Sequence, residues 1–334
     1  MSSLYTSISA IIAFAITALL GIPMIPFLRR LKFGQTIREE GPAWHSKKQG
    51  TPTMGGLMFI IGTVAAVMIC VPLYMVASGS GEQMLSIVRV LSGLLMAVAM
   101  GLVGFMDDFI SIRKHRNLGL TEKQKLVLQF AIVIAYLASV RIAGGSSEML
   151  IPFIGVVDWG IAYYILAALL IVGMVNAVNF TDGIDGLNGT VTFVVSVGFL
   201  VTAFVMNYMG IAILAAASAA ACIGFLIWNF NPAKVFMGDT GSLFLGGIVC
   251  ALGFGLNIPI LIPLYGIIYI AEIGSVVLQV TYFKATKGKR LFKMSPIHHH
   301  FELCGWSEVK ICAVFGLVSA IFCALGVALV VFGL

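Results

Sequence analysis

The sequence predicts an all-α integral membrane protein that crosses the bilayer about ten times, and three observations predict it. Of 334 residues, 60% are hydrophobic and only 10% charged, with a mean hydropathy of +1.05. Ordinary soluble domains run near about 45–50% apolar and about 25% charged. The apolar residues gather into runs near the length that spans hydrocarbon, about 20 residues. Within each run the apolar character is continuous, whereas the strands of a membrane barrel would show short period-two alternation.

The runs fall at residues 4–27, 54–77, 86–105, 125–143, 159–178, 190–207, 211–229, 241–257, 260–283 and 309–333. No basic residue or small-residue cleavage site marks the first as a signal peptide, and Arg29, Arg30 and Lys32 follow it, so a retained anchor is expected. The second follows a polar stretch, HSKKQGTPTMGG (45–56), and the third ends in FMDDF (105–109). NFTDGIDGL (179–187) follows the fifth, and NPAKVFMGDTGSL (231–243) joins the seventh to the eighth. The ninth holds Glu272 and leads through a basic segment to SPIHHHFE (295–302), ahead of the tenth.

Lysine and arginine set the orientation. The connections after spans 1, 3, 7 and 9 carry 18 of the 20 basic residues, which marks that face as cytoplasmic and puts both termini outside. The sequence pI near 9.0 is therefore mainly a topology signal, with some attraction for anionic lipid or substrate. No nucleic-acid motif is present. Residues 1–334 contain no linker, charge block or low-complexity tract, so a single transmembrane domain is expected, with its chemistry in the cytoplasmic loops. Six cysteines, Cys70, Cys222, Cys250, Cys304, Cys312 and Cys323, show no paired spacing, and no disulfide is expected.

Five of the six aspartates, Asp107, Asp108, Asp182, Asp185 and Asp239, sit at the cytoplasmic ends of spans 3, 5 and 7; Asp158 stands apart. Carboxylates are depleted at the edge of hydrocarbon unless paired. Any one of them has an ordinary explanation as a helix cap or an ion-pair partner, and Asp239, with Thr240 and Ser242 ahead of span 8, is an N-cap candidate. Five gathered from three stretches point instead to a site. Adjacent Asp107 and Asp108 repel one another, and a divalent cation relieves that cost. Mg²⁺ suits an all-oxygen inventory and a phosphorylated substrate.

Gly183, Gly186 and Gly189 in TDGIDGLNG let backbone approach a phosphate closely, although no P-loop occurs. Of the two lysines before the Thr-Pro-Thr turn, Lys47 reads as a positive flank and Lys48 as either a flank or a phosphate partner. His298, His299 and His300 are consecutive, so they do not converge on one ion as an i, i+4 pair would. Imidazoles donate to phosphate and shuttle protons near neutral pH. With Lys284, Lys287, Lys289 and Arg290 upstream, the loop reads as a substrate clamp.

KQGTPTMGG (48–56), FMDDF, NFTDGIDGL, NPAKVFMGDTGSL and PIHHHFE (296–302), in this order, resemble the phospho-N-acetylmuramoyl-pentapeptide-transferase family. It lies within the polyprenyl-phosphate N-acetylhexosamine-1-phosphate transferase superfamily. The likeness covers essentially the whole chain, and the three-histidine form favours this branch over relatives that use UDP-N-acetylglucosamine. The resemblance implies a ten-span, homodimeric enzyme of the bacterial inner membrane, with both termini outside and a cytoplasmic cleft. It further implies Mg²⁺-dependent transfer of phospho-MurNAc-pentapeptide from UDP-MurNAc-pentapeptide to undecaprenyl phosphate. The products are lipid I and UMP, in the first membrane step of peptidoglycan synthesis.

Carried onto this chain, the resemblance implies that Asp107, Asp108 and Asp239 are the catalytic acids, with Asp239 the Mg²⁺ ligand and Asp107 deprotonating or orienting the lipid phosphate. Asn179, Asp182, Gly183, Asp185, Asn229 and Phe236 would surround the nucleotide, Phe236 stacking on uracil, with Lys48 and Thr53 close by. Lys123 and Lys125 would face the diphosphate, and His298, His299 and His300 would line the same cleft. Glu272, inside span 9, is either a further site residue or the partner of a group on a neighbouring helix. Three alternatives are a UDP-N-acetylglucosamine transferase of the same chemistry, a secondary transporter, which would hold its acids near the midplane on broken helices, and a binding scaffold.

Overall fold

A computed structural model describes residues 2–31, 48, 50–78, 84–113 and 119–333. Lys32, Arg38, Lys47, Lys114 and Arg116, which entered the orientation argument, lie outside the described residues. Each predicted run contains a helix long and apolar enough to cross a membrane, ten in all among the described residues. They are α1 (Ser2–Arg30), α2 (Gly56–Ala77), α3 (Met84–Arg113), α4 (Glu122–Ile142), α5 (Ile161–Phe180), α6 (Leu187–Val205), α7 (Met209–Asn229), α8 (Gly238–Gly255), α10 (Ile267–Ala285) and α12 (Glu308–Gly333).

Three local features differ from a plain reading of the runs. The apolar run at 260–283 is interrupted at Gly266, which separates the short α9 (Leu261–Tyr265) from α10. The histidines lie on a helix of their own, α11 (Ile297–Glu302). The third is a small addition to the all-α architecture: the connection between α4 and α5 holds an antiparallel hairpin of β1 (Glu148–Ile151) and β2 (Gly155–Asp158), pairing Glu148 with Asp158 and Ile151 with Gly155. A connector of β-branched and aromatic residues closed by turn formers favours a hairpin; here Phe153 (φ 66°) and Gly155 (φ 94°) make the turn.

The bundle is organised around α8, which is buried along nearly its whole length. Lipid and protein interior are equally apolar, so membrane helices associate through close packing at small residues. A Cβ on Gly247 would sit 2.6 Å from Ala97 Cα of α3, and one on Gly246 would sit 2.6 Å from Val175 Cα of α5. At the site end, Gly104 of α3 lies directly against the backbone carbonyl of Asp239. Glycine contacts thus draw α3 and α5 onto α8 and bring Asp107, Asp108, Asn179 and Asp239 to one edge. Large apolar side chains such as Leu19, Ile142, Ile161, Leu317 and Phe332 remain exposed on the peripheral helices, as lipid-facing positions require.

Candidate active site

The site is built on the N-terminus of α8, whose first backbone N–H groups lack intrahelical acceptors. Asp239 is not the cap expected from its sequence position. That task falls to Asp108 of α3, whose Oδ1 accepts from Asp239 N (3.2 Å) and whose Oδ2 accepts from Thr240 N (2.9 Å) and Thr240 Oγ1 (2.6 Å). A carboxylate there also meets the positive end of the helix dipole. Gly238 takes φ 70°, and a Cβ on it would strike Asp108 Oδ2 (2.5 Å) and Thr53 Oγ1 (2.7 Å), so only glycine fits between the two.

Freed from capping, the Asp239 carboxylate faces the cleft, 27% exposed. Asn179 Nδ2 donates to its Oδ1 (2.9 Å) and to Ser242 Oγ (2.8 Å), fixing its rotamer. Lys125 Nζ lies 2.8 Å from Asp239 Oδ2 and 3.1 Å from Asp107 Oδ2, while Asp107 Oδ1 accepts from Leu120 N at 2.6 Å. A capping box between Thr121 and Gln124 starts α4 one turn before Lys125 and aims that side chain inward. Lys123, on the same turn, is exposed and makes no ion pair among the described residues. Burial, with Asp239, Asp108 and Asp185 nearby, raises the Asp182 carboxyl well above its ordinary value. Two of these carboxylates, Asp107 and Asp239, therefore share one ammonium.

A second network holds the loops in place. Lys48 Nζ pairs with Asp185 Oδ1 (2.7 Å) and Glu308 (2.7 Å), and Glu308 Oε2 also accepts from Asp185 N (2.8 Å). Asp185 Oδ2 accepts from Asn231 Nδ2 (3.2 Å) and Ala233 N (2.9 Å). Asn229 accepts from Gly186 N (3.1 Å) and donates to Val235 O (2.9 Å). Asp185 and Asn229 thus tie the 181–186 turn to the 231–235 loop through contacts within the protein. Phe236 N donates to Pro52 O (2.8 Å) and Gly55 N to Phe236 O (2.9 Å), stitching the 50–55 segment to the same loop and leaving the Phe236 ring half-buried.

The three histidines take three environments. His298 is fully buried; its Nδ1 lies 2.9 Å from Glu272 Oε2, so Glu272 has a partner on another helix, and that partner is itself one of the candidate site residues. Among the described residues His298 Nε2 and Glu272 Oε1 are buried without a hydrogen bond, and that Nε2 faces Gly183, where a Cβ would collide with it. His299 Nδ1 lies 2.6 Å from Glu302 Oε2, and His300 Nδ1 accepts from Lys293 N (3.1 Å) at the exposed rim. Sequence reasoning missed Glu308, although an acid opening span 10 at the same edge was a usable signal.

Among the described residues no group of three or more His, Cys, Asp or Glu side chains converges as a ready-made metal cage. The donor chemistry still fits a hard divalent cation: the open carboxylates are oxygen ligands, and among the described residues Lys125 alone balances Asp107 and Asp239. Phosphate chemistry needs such a set of clustered acids, a cation and a helix N-terminus.

Fold, site and the matches to known proteins together define a membrane-embedded phosphoglycosyl transferase. Residues 90–257, which include Asp107, Lys125, Asn179 and Asp239, match the model of Glycosyl transferase family 4. Residues 48–60 match signature 1 of phospho-N-acetylmuramoyl-pentapeptide-transferase. Proteins of that name from Halalkalibacterium halodurans and Clostridioides difficile are each 44% identical, the first over 96% of both chains and the second over 94% of both. One from Listeria monocytogenes serotype 4b is 44% identical over 99% of this chain and 100% of its own. The chain belongs to the phospho-N-acetylmuramoyl-pentapeptide-transferase family, enzymes of peptidoglycan synthesis, and the transporter and scaffold readings give way to it.

Proposed function

We propose that the protein transfers phospho-MurNAc-pentapeptide from UDP-MurNAc-pentapeptide to undecaprenyl phosphate, releasing UMP and leaving lipid I in the bilayer. The observation that carries this reading is the Lys125 ammonium between Asp107 and Asp239 at the capped N-terminus of α8, in a chain of this family. An oxygen of the lipid phosphate attacks the β-phosphorus of the donor. The new P–O bond forms as the bond from that phosphorus to the bridging oxygen breaks, and its electron pair leaves on UMP.

The second pKa of a phosphate monoester is about 6, so the nucleophile arrives ionised, and the task of the site is positioning against charge repulsion. Lys125 meets the charge that grows on the leaving phosphate, with Lys123 at the entrance. Asn179 holds the Asp239 rotamer, and Asp107 orients the lipid phosphate. Thr53, Asp182, Gly183 and Phe236 line the nucleotide end, where Phe236 is free to stack, and Lys48, Asp185 and Asn229 keep that wall in register. His298, backed by Glu272, offers Nε2 at the floor of the cleft beside Gly183, with His299 next to it and His300 at the rim. Mg²⁺, held by Asp239, would neutralise charge on the diphosphate.

We read residues 1–334 as one domain in the bacterial inner membrane, with the site in the cytoplasm and both termini outside. The basic residues at the site end support that orientation. The homodimer and the preference for the muramoyl-pentapeptide donor rest on the family. Incubating purified protein with undecaprenyl phosphate, Mg²⁺ and each UDP-sugar tests the assignment. UMP release from UDP-MurNAc-pentapeptide is expected, abolished by chelation, and release only from UDP-N-acetylglucosamine would overturn the donor assignment.

A further inference from the structure

The two basic residues outside the site face are Arg89 and Arg141, and both border one cleft. It is shallow and open to solvent, lies at the end of the bundle opposite the acidic site, and is lined as well by Tyr136, Tyr163, Phe254 and Asn257. Arg89 is half-buried, five residues into α3 and so about 7–8 Å inside its start. Arg141 is the penultimate residue of α4. A charge held at that depth needs a partner.

Neither guanidinium has an anionic partner among the described residues. Arg89 Nη2 donates to the neutral Asn257 Oδ1 (3.3 Å) and Arg141 Nη1 to the carbonyl of Gly145 (3.0 Å), which leaves most of the five N–H donors of each unused. The nearby hairpin acids are turned to their own strand ends. Asp158 accepts from Ser147 Oγ (2.5 Å) and Gly160 N (2.9 Å), and Glu148 accepts from Ser146 Oγ (3.2 Å). Tyr136 and Tyr163 are buried and line the cleft, and their phenol hydroxyls make no hydrogen bond among the described residues. Leu137, Val140 and Phe254 supply an apolar wall. The hairpin is fastened over this end by Leu150 N donating to Asn257 O (3.2 Å), so the same residue anchors both hairpin and Arg89.

We propose that this cleft binds a phosphate-bearing anion at the membrane surface opposite the active site. Two guanidiniums and two phenols line one cleft with no carboxylate among its described lining residues, a donor set suited to phosphate oxygens, and the apolar wall suits the glycerol and first methylenes of a phospholipid. That chemistry is supplied either by an anionic lipid headgroup or by free phosphate, and the experiment separates the two.

Native mass spectrometry of the full chain, extracted from vesicles of phosphatidylcholine containing phosphatidylglycerol, reads retained lipid directly. One phosphatidylglycerol per chain is expected to survive, in preference to phosphatidylcholine. Occupancy should fall tenfold or more in Arg89→Gln with Arg141→Gln, the scale of a lost hydrogen bond to a charged group. Inorganic phosphate titrated calorimetrically into delipidated protein forms the second arm. Binding that the same substitutions abolish would assign the site to free phosphate, while lipid retention without phosphate binding assigns it to the headgroup. Arg141→Gln alone, at an exposed side chain, and Tyr163→Phe decide the matter should the double variant fail to fold. UMP release should be unchanged in both. Equal retention of the two lipids, or unaltered occupancy and phosphate binding in the variants, would overturn the proposal.

Discussion

Replacing Lys125 by alanine is the sharpest test of the site. At an effective dielectric of about 20, a unit charge pair at 2.8 Å is worth about 6 kcal/mol and one at 3.1 Å about 5 kcal/mol, before desolvation. The Asp107 and Asp239 side chains are 11% and 27% exposed. Removing one partner of a buried pair costs about 3–5 kcal/mol, so partial exposure sets the loss near the lower end, about 3 kcal/mol. Expressed in the transition state, that is roughly a hundredfold in kcat/KM. The same geometry demands a second, opposite effect. Lys125 occupies one oxygen of each carboxylate, so its loss frees both, and Mg²⁺ should bind the substrate-free protein more tightly in Lys125→Ala, read by calorimetric titration. UMP release under varied donor concentration gives the first quantity. A variant whose turnover is unchanged, or whose Mg²⁺ affinity falls along with it, would refute the reasoning.

Three further outcomes follow from the same geometry. Glu272→Ala removes the only hydrogen-bond partner of a buried imidazole among the described residues and should cost about 1–3 kcal/mol of stability together with kcat. Glu272→Gln, which keeps an acceptor for Nδ1–H, should recover most of both in denaturation and turnover measurements. Gly183→Ala drives a methyl into His298 Nε2 and should lower UMP release at least tenfold, whereas Gly274→Ala, with nothing within 4 Å of its Cβ, should be silent. For Asp182, a carboxyl raised in the folded state binds its proton more tightly than in the unfolded chain, so its ionisation opposes folding. Asp182→Asn should therefore match the parent in acid, below the ordinary aspartate value of 3.8, and melt at a higher temperature as the pH rises above it, in the presence of chelator.

Span positions were legible because a bilayer imposes a length, and the five acids stood out because hydrocarbon edges exclude them. Which acid does what was not legible. FMDDF presents Asp107 and Asp108 as equivalents, yet one turns to Lys125 and the other to the N-terminus of α8, a division set by which face of α3 meets Gly238. The burial of His298 was equally hidden, because its partner Glu272 is 26 residues away on another helix. Glu308 went unread, since its position at the start of span 10 does not identify Lys48 or Asp185 as its partners. The hairpin escaped notice because an apolar connector among apolar spans has no contrast to reveal it.

The contact between Gly104 and the carbonyl of Asp239 reaches beyond packing. Main chain rests on main chain there, so the separation of the two acid-bearing helices is fixed by atomic radii and not by the fit of flexible side chains. Lateral pressure from the surrounding lipid falls first on the least buried helices, α1, α4, α10 and α12. The acids on α3 and α8 are set by that main-chain contact, and their spacing should stay the same in a thin bilayer and in a thick one.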